Sequence, residues 1–180
     1  MITRVRPRTS SAKRLRIGLI SDTHGLLRPE AIAFLQGCDH IVHAGDIMGG
    51  EILEALAAIA PLTAVRGNND FGDWADALHE TQTVRLGDMV LYALHDLAQL
   101  RTDPPPKAAR IVVSGHSHKP LVALREGGES GNGGVLFVNP GSAGPRRFTL
   151  PISIGEAFID GESVSARVVD LVTGKELGNA

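Results

Sequence analysis

Five short motifs rich in aspartate and histidine recur along the chain, and each follows directly after an apolar run. The motifs are Asp22-Thr23-His24, Gly45-Asp46, Gly67-Asn68-Asn69-Asp70, His95-Asp96 and Gly115-His116-Ser117-His118. Carboxylate, imidazole and amide groups together suit borderline divalent cations such as Mn, Fe, Co, Ni and Zn. One such motif alone is more often a turn or a hydrogen-bonded structural histidine. Five of them at the ends of apolar runs indicate a shared metal site.

Two of the motifs hold candidate ligands that are two residues apart. On an extended segment such side chains point to the same side. We therefore expect Asp22 to bind together with His24, and His116 together with His118. A carboxylate placed centrally among these groups could bridge two cations.

The elements that must position the motifs alternate in the first half of the chain. Apolar runs predict strands over residues 15–20, 40–43 and 62–65, and apolar residues at helical spacing predict helices over 29–35 and 50–60. This alternation is typical of βαβ units and a largely parallel sheet. Ligand crevices form at the carboxyl ends of such strands, where the polar motifs lie.

The second half of the chain consists mainly of predicted strands. They cover residues 81–86, 89–94, 111–113, 121–124, 135–138, 152–159 and 164–171, with hairpin turns at Gly87-Asp88 and Asp160-Gly161. The Pro-rich stretch 97–110 leaves room only for an abbreviated helix. We expect one domain over residues 15–172, between a basic tail (1–14) and a C-terminal tail (173–180), with two sheets packed face to face and helices outside.

The composition is that of a globular protein, with 43% hydrophobic and 21% charged residues among 180. The single cysteine, Cys38, excludes an internal disulfide and a zinc site built from several thiolates. It is expected to be a small core residue in a cytoplasmic protein. No apolar run is long enough to cross a membrane. The first 16 residues carry six of the 18 basic side chains and no acid, so the remainder is acidic, which argues against an extended nucleic-acid interface.

Taken in order, the series SDTHG, HAGD, RGNND, a strand-end histidine and GHSHKP resembles the calcineurin-like metallophosphoesterases, whose pattern is DxH, GD, GNH[DE], H and GHxH. The small size and the segment Asn139-Pro140-Gly141-Ser142 resemble the small YfcE-like branch of bacterial and archaeal phosphodiesterases. The resemblance spans residues 15–171. It implies an α/β fold, a four-layer α/β/β/α sandwich in which two mixed β-sheets are flanked by helices.

The resemblance also implies a ligand set for two divalent cations. Its first site would use Asp22, His24, Asp46 and His118, and its second would use Asp46, Asn68, His95 and His116, so that Asp46 bridges the two. Manganese is the favoured metal, with Ni, Fe, Co or Zn as alternatives.

The expected function is metal-dependent hydrolysis of a small phosphoester, foremost an activated phosphodiester, by attack of a hydroxide that bridges the two metals. A non-catalytic protein-binding scaffold of the same fold and a nucleotide phosphohydrolase are the alternatives. Aromatic residues make up only 4% of the chain, which disfavours base-specific recognition. No membrane partner is expected, and the oligomeric state, a homo-oligomer included, is left open.

Two residues depart from the family pattern. Asn69 stands where many members have histidine, and asparagine can donate a hydrogen bond but cannot deliver a proton. A preference for good leaving groups and weak monoesterase activity are therefore expected. Asp96 stands where glycine is common, and it could be an outer partner of a histidine or simply face solvent.

The remaining candidates carry open alternatives. Asn69 and Asp70 are the candidate catalytic residues, although Asp70 could equally stabilise a turn. His43 is expected to orient Asp46 or to pack in the core, with a metal-ligand role as a third alternative. Three arginines could contact substrate phosphate or be solvated surface residues: Arg66, Arg146 and Arg147.

Overall fold

The computed structural model describes residues 13–125 and 134–177. The basic tail up to residue 12, residues 126–133 between two predicted strands, and residues 178–180 lie outside the described residues. Within the described ranges, no helix has the length and apolar character that a membrane-crossing segment needs.

The first part of the chain alternates strands and helices as predicted. The elements are β1 (Leu15–Ile20), α1 (Pro29–Leu35), β2 (His40–His43), α2 (Gly50–Ala57), β3 (Leu62–Ala64) and α3 (Asp73–Asp76). Pro29 occupies the first turn of α1, where its missing N–H leaves no hydrogen bond unmade. The short helix α3 was not predicted, since four residues are too few to show helical periodicity.

The second part is built mainly of strands. The elements are β4 (Thr81–Leu86), β5 (Met89–Leu94), a 3-10 helix (Leu97–Arg101), β6 (Ala109–Val113), β7 (Leu121–Arg125), β8 (Val135–Asn139), β9 (Ser153–Asp160), β10 (Ser163–Asp170) and β11 (Glu176–Leu177). The predicted abbreviated helix is the five-residue 3-10 helix. The strand β11 pairs with β10, so the first sheet continues beyond residue 172, where the C-terminal tail was predicted to begin.

The strands form two mixed sheets, as predicted. The first has the order β11-β10-β9-β1-β2-β3, in which β1, β2 and β3 are parallel and β9 runs antiparallel to β1. The second has the order β4-β5-β6-β8-β7, with a parallel centre and antiparallel edge strands. The α/β class and the two-sheet architecture are therefore confirmed.

Because side chains alternate between the two faces of each strand, the apolar residues form three clusters, one between the sheets and one on the outer face of each sheet. Ile17 and Leu19 of β1 pack between the sheets against Leu91 and Ile111, whereas Ile20 packs outward under the helices. Leu35 of α1 and Leu56 of α2 cover the outer face of the first sheet. Gly18 of β1 lets α1 approach closely, because a Cβ there would collide with the side chain of Leu35.

The outer face of the second sheet has a thinner cover. Tyr92, Val112 and Phe137 form a separate apolar cluster there, and Leu97 and Leu100 of the 3-10 helix pack against it. Because the 3-10 helix that covers this face is only five residues long, the fourth layer of the sandwich is small.

Glu156 of β9 is the buried charge that ties the first sheet together. Its side chain is only 1% exposed, and its two oxygens accept hydrogen bonds from Arg16 of β1 and Arg167 of β10. The Arg16 guanidinium also donates to the backbone carbonyls of Phe34 and Gln36 at the end of α1. Three strands and one helix therefore meet at this carboxylate.

We expect Glu156→Gln to lower the free energy of unfolding by about 1–3 kcal/mol, because two guanidinium groups lose their charged acceptor. Urea denaturation measures this loss. The matched control is Glu176→Gln, which removes an exposed carboxylate 3.9 Å from the same Arg167 and should change stability by less than about 0.5 kcal/mol. Equal losses in the two variants would contradict the role of the buried carboxylate.

Candidate metal centre

The five polar motifs meet where the strands of the two sheets end. Asp22 and His24 follow β1, Asp46 follows β2, Asn68 follows β3, His95 follows β5, and His116 and His118 follow β6. All seven predicted ligands therefore come together at one edge of the sandwich, although they are spread over 97 residues of the chain.

The backbone at these residues is turned and not extended. Asp22, His24, Asp46, His116 and His118 have positive φ values between 47° and 66°. This left-handed region is unfavourable for residues other than glycine. The expectation that an extended backbone aligns each pair is therefore wrong. Nε2 of His24 lies 3.8 Å from Asp22 Oδ1, whereas His116 and His118 contact different clusters.

The first cluster of lone pairs joins Asp22, His24 and His118. The Nε2 atoms of His24 and His118 lie 3.3 Å apart, and His118 Nε2 lies 3.2 Å from Asp22 Oδ1. His24 Nε2 is also 3.8 Å from Asp46 Oδ2. Asp22 Oδ1 is buried and accepts no hydrogen bond within the described residues, while Oδ2 accepts from Ser21 Oγ and from the backbone N–H of His116.

The second cluster joins Asn68, His95 and His116. Asn68 Oδ1 lies 3.1 Å from His95 Nε2 and 3.0 Å from His116 Nδ1, and His95 Nε2 lies 3.4 Å from Asp46 Oδ1. His95 Nδ1 donates to the carbonyl of Ala44 at 2.7 Å. When the His95 ring is neutral, its Nε2 therefore carries a lone pair that faces two oxygens that can only accept.

Both clusters fit divalent cations. Each places several lone pairs within a few ångströms of one another, and such an arrangement is favourable only with positive charge among them. The ligand atoms of Asp22, His24 and His118 lie within 4.8 Å of one another, and so do those of Asp22, Asp46 and His95. Asp22 thus belongs to both groups. Asp46 instead turns one oxygen to each cluster, which suits the predicted bridging position.

The protonation of these groups favours cation binding. Burial acts to raise the pKa of Asp46, but hydrogen bonds from His95 and Asn69 outweigh it and hold the pKa well below its usual range. Burial is the main cause that lowers the pKa of His24. Burial also acts to lower the pKa of His95, yet the hydrogen bond to Asp46 and the charge of Asp22 raise it overall. A cation bound at Nε2 of His95 in place of this proton would interact with the same acceptors, Asp46 and Asn68.

Asp70 holds two ligand loops together. Its Oδ1 accepts from the backbone N–H groups of Ile47 and Met48, and its Oδ2 accepts from that of Gly67. These contacts engage both carboxylate oxygens with the loops after β2 and β3. Of the two roles left open from the sequence, stabilisation of the turns is the one these contacts support, and Asp70 is a positioning residue.

Asn69 forms two hydrogen bonds to Asp46, the predicted bridging carboxylate. Its backbone N–H donates to Asp46 Oδ1 at 2.8 Å, and its Nδ2 donates to Oδ2 at 2.7 Å. The side chain therefore points into the site, where it fixes the orientation of Asp46.

His43 is fully buried and links the first two ligand loops. Its Nδ1 accepts from the backbone N–H of Gly45, so its Nε2 donates to Thr23 Oγ1 at 3.0 Å, and Thr23 donates to the carbonyl of Ile47. Burial lowers the pKa of His43 to about 3. His43 thus orients the loop that carries Asp46, which is one of its predicted roles.

Two supporting residues were not predicted. Asn139 donates through Nδ2 to the carbonyl of Gly115 and to Ser117 Oγ, and Ser142 donates to the carbonyl of Asp22. Both belong to the Asn-Pro-Gly-Ser segment that was noted only for its resemblance. A polar segment directly after a strand was the signal that could have identified them.

The three candidate arginines occupy different surroundings. Arg66 forms an ion pair with Asp76 and donates to the carbonyl of Asp70. Arg146 donates to the carbonyl of Leu150. The exposed Arg147 lies near enough to His24 for its charge to lower the pKa of that histidine. Arg147 is thus the arginine of the three whose charge acts on the first cluster.

A cleft of about 490 Å³ opens beside the second cluster. Besides the ligand residues, its lining includes Arg66, Phe71, Glu80, Asp96 and Gln99. Phe71 is 70% exposed. The cleft therefore offers an apolar surface and hydrogen-bonding groups next to the candidate metal centre.

Comparison with known proteins points to one family. Residues 15–161 match the family profile described as the calcineurin-like phosphoesterase superfamily domain. A protein from Methanothermobacter thermautotrophicus, described as a probable metallophosphoesterase, is 34% identical over an alignment 165 residues long, gaps included, that covers 85% of this chain and 91% of that protein.

Solved structures share the fold. YfcE, a phosphoesterase from E. coli, superposes with a TM-score of 0.65 at 22% identity, covering 91% of this chain and 97% of its own. An archaeal phosphodiesterase gives 0.64 at 22% identity, covering 86% and 100%. Vps29 from Entamoeba histolytica, in complex with Zn²⁺, gives 0.66 at 22% identity, covering 91% and 96%. At these identities the superpositions establish the fold alone.

The buried His43 predicts an acid-sensitive fold. Below pH 6.5, the ordinary histidine value, the unfolded chain binds a proton that folded His43 does not bind until about pH 3. The free energy of unfolding should therefore fall with decreasing pH in this window, by up to about 1.4 kcal/mol per pH unit from this residue. We expect His43→Gln to flatten that slope in urea denaturation of the metal-free protein between pH 6 and pH 4.

The matched control is His40→Gln. His40 is half-buried, and burial lowers its pKa too, so this variant should flatten the slope less than His43→Gln does. A slope that is unchanged in His43→Gln would contradict the buried, neutral state of His43.

Proposed function

Since the chain belongs to the calcineurin-like phosphoesterase superfamily, we propose that it is a dinuclear metal-dependent phosphodiesterase that hydrolyses small, activated phosphodiesters. The observation that carries this proposal is the position of Asp46. One of its oxygens faces His24, the other faces His95, and each histidine belongs to a different cluster of lone pairs. The proposed metal is manganese, with Ni, Fe, Co or Zn as alternatives.

The proposed ligands are those of the two clusters. Asp22, His24, Asp46 and His118 would hold one ion, and Asp46, Asn68, His95 and His116 would hold the other. A bound pair of divalent cations supplies Lewis-acid stabilisation of phosphate oxygens and water activated for attack at neutral pH.

The chain's own residues define the rest of the chemistry. Asn69 fixes Asp46 and has no proton to give a leaving group. Without a proton donor at this position, a leaving group that can depart as an anion is favoured, as in activated esters. In the proposed substrate complex, the cleft receives one ester group against Phe71, and Arg147 adds positive charge on the side of His24.

Two alternatives are less well supported. The likeness to Vps29 is compatible with a protein-binding scaffold, but a scaffold does not require seven converging ligands. For a nucleotide phosphohydrolase, Phe71 could stack on a base. However, Glu80 and Asp96 line the same cleft, and their charges would repel additional phosphates. A cytoplasmic location is part of the proposal and is supported by the lone Cys38.

The first test is hydrolysis of bis(p-nitrophenyl) phosphate by metal-stripped protein that is reconstituted with Mn²⁺. We expect Mn²⁺-dependent activity and a metal content near two equivalents by elemental analysis. Asp46→Asn should reduce the rate to that of the metal-free protein, because the bridging charge is lost.

Asp88→Asn is the matched control for this experiment. It makes the same chemical change in the exposed turn between β4 and β5 and should retain full activity. Full activity of Asp46→Asn would refute the proposed enzyme, and a wild-type metal content below one equivalent after reconstitution would favour the scaffold.

The second test restores a proton donor. We expect Asn69→His to raise the rate on phosphodiesters with poor leaving groups by at least about tenfold, since general acids contribute about 10²–10⁴-fold. The rate on bis(p-nitrophenyl) phosphate should change little, because p-nitrophenolate needs no protonation to leave. Steady-state kinetics on a series of aryl esters measures the dependence on leaving-group pKa. An unchanged dependence would refute the assigned role of Asn69.

A further inference from the structure

Asp96 is held in one orientation by the element that follows it. Its Oδ1 accepts from the backbone N–H of Ala98, and its own backbone N–H donates to Gln99 Oε1 at 3.1 Å. This reciprocal pair is a capping box at the start of the 3-10 helix. With Oδ1 engaged, the second oxygen of the carboxylate has a fixed direction.

That second oxygen faces a proposed metal ligand. Asp96 Oδ2 lies 3.9 Å from His116 Nε2, and the other ring nitrogen of His116 lies 3.0 Å from Asn68 Oδ1 inside the second cluster. The imidazole therefore stands between Asn68 and Asp96. At this distance a small rotation of the His116 ring completes the contact.

His116 is the ligand that most needs such a contact. Its side chain is 47% exposed, whereas those of His24, His95 and His118 are 8% exposed or less. Packing therefore fixes the other three rings, but the orientation of His116 depends on polar contacts. Asn68, in the same cluster, is a neutral amide and contributes no negative charge.

The chemistry of imidazole defines what Asp96 can do. When Nδ1 of His116 binds a cation, the ring proton must be on Nε2, and Nε2–H then points to Asp96 Oδ2. A carboxylate at the outer nitrogen of a metal-binding histidine fixes its tautomer and strengthens its donor character. We propose that Asp96 is a positioning residue that sets the affinity of the second cluster for its metal ion, an inference that rests on the metal pair of the proposed function.

The test compares three variants by calorimetric titration of the metal-free protein with Mn²⁺. Asp96→Asn and Asp96→Ser both retain a cap for the 3-10 helix, but the amide turns a donor toward His116 and the hydroxyl is too short to reach it. We expect both to weaken the second binding step by about tenfold or more, within the range of about 10–100-fold for outer partners of metal ligands. The first step and the melting temperature of the metal-free protein should not change.

The matched control is Glu80→Gln, which removes one negative charge from the lining of the same cleft and should leave the second step unchanged. Electron paramagnetic resonance gives an independent readout. At two equivalents of Mn²⁺ the wild type should show a spin-coupled pair, as expected for ions about 4 Å apart, and Asp96→Asn should show mainly isolated Mn²⁺.

Several outcomes would overturn the inference. They are an unchanged second step in both Asp96 variants, an equal loss in Glu80→Gln, an equal weakening of both steps, and a wild type that binds only one ion. The proposed function fails separately. A wild type that binds two ions with this dependence on Asp96 but hydrolyses no phosphodiester would refute the enzyme and support the role of Asp96.

Discussion

The candidate site depends on one electrostatic constraint. The buried carboxylate of Asp46 must stay ionised, although the histidine rings around it also present lone pairs. Burial opposes the charge, and hydrogen bonds from His95 and Asn69 overcome this opposition. The same carboxylate faces both histidine clusters, so its position decides where each cluster can hold positive charge.

The surrounding loops carry backbone strain to keep this arrangement. Five of the seven proposed ligands adopt left-handed φ values, at a cost of about 1–2 kcal/mol per residue. The interlocking of the loops offsets this cost. Asp70 binds the N–H groups of two loops, and Gly67 lies so close to the backbone of Asp46 that no Cβ could fit there. Gly115 similarly abuts the side chains of Ser21 and Asp22. The glycines of the motifs thus act through close approach of the chains.

Much of the architecture could be predicted because it is encoded locally. Apolar runs marked every long strand, and polar residues at their ends marked the site. Three features depend on tertiary contacts and could not be read in this way. The backbone at the paired ligands is left-handed and not extended. Asp70 points to backbone N–H groups that come from two separate loops. The strand β11 has two residues and exists only because β10 offers it an edge.

The two halves of the site differ in charge and exposure, and both differences act in the same direction. The proposed ligands Asp22, His24 and His118 are almost fully enclosed, and they include a carboxylate besides Asp46. The other half combines the neutral amide of Asn68 with the half-exposed His116 beside the cleft. Because a less polar surrounding strengthens the attraction between a cation and its ligands, the enclosed half should bind its ion more strongly. The open half adjoins the cleft, so its ion would be the one that meets an entering ester, and its occupancy would depend on contacts outside the ligand set.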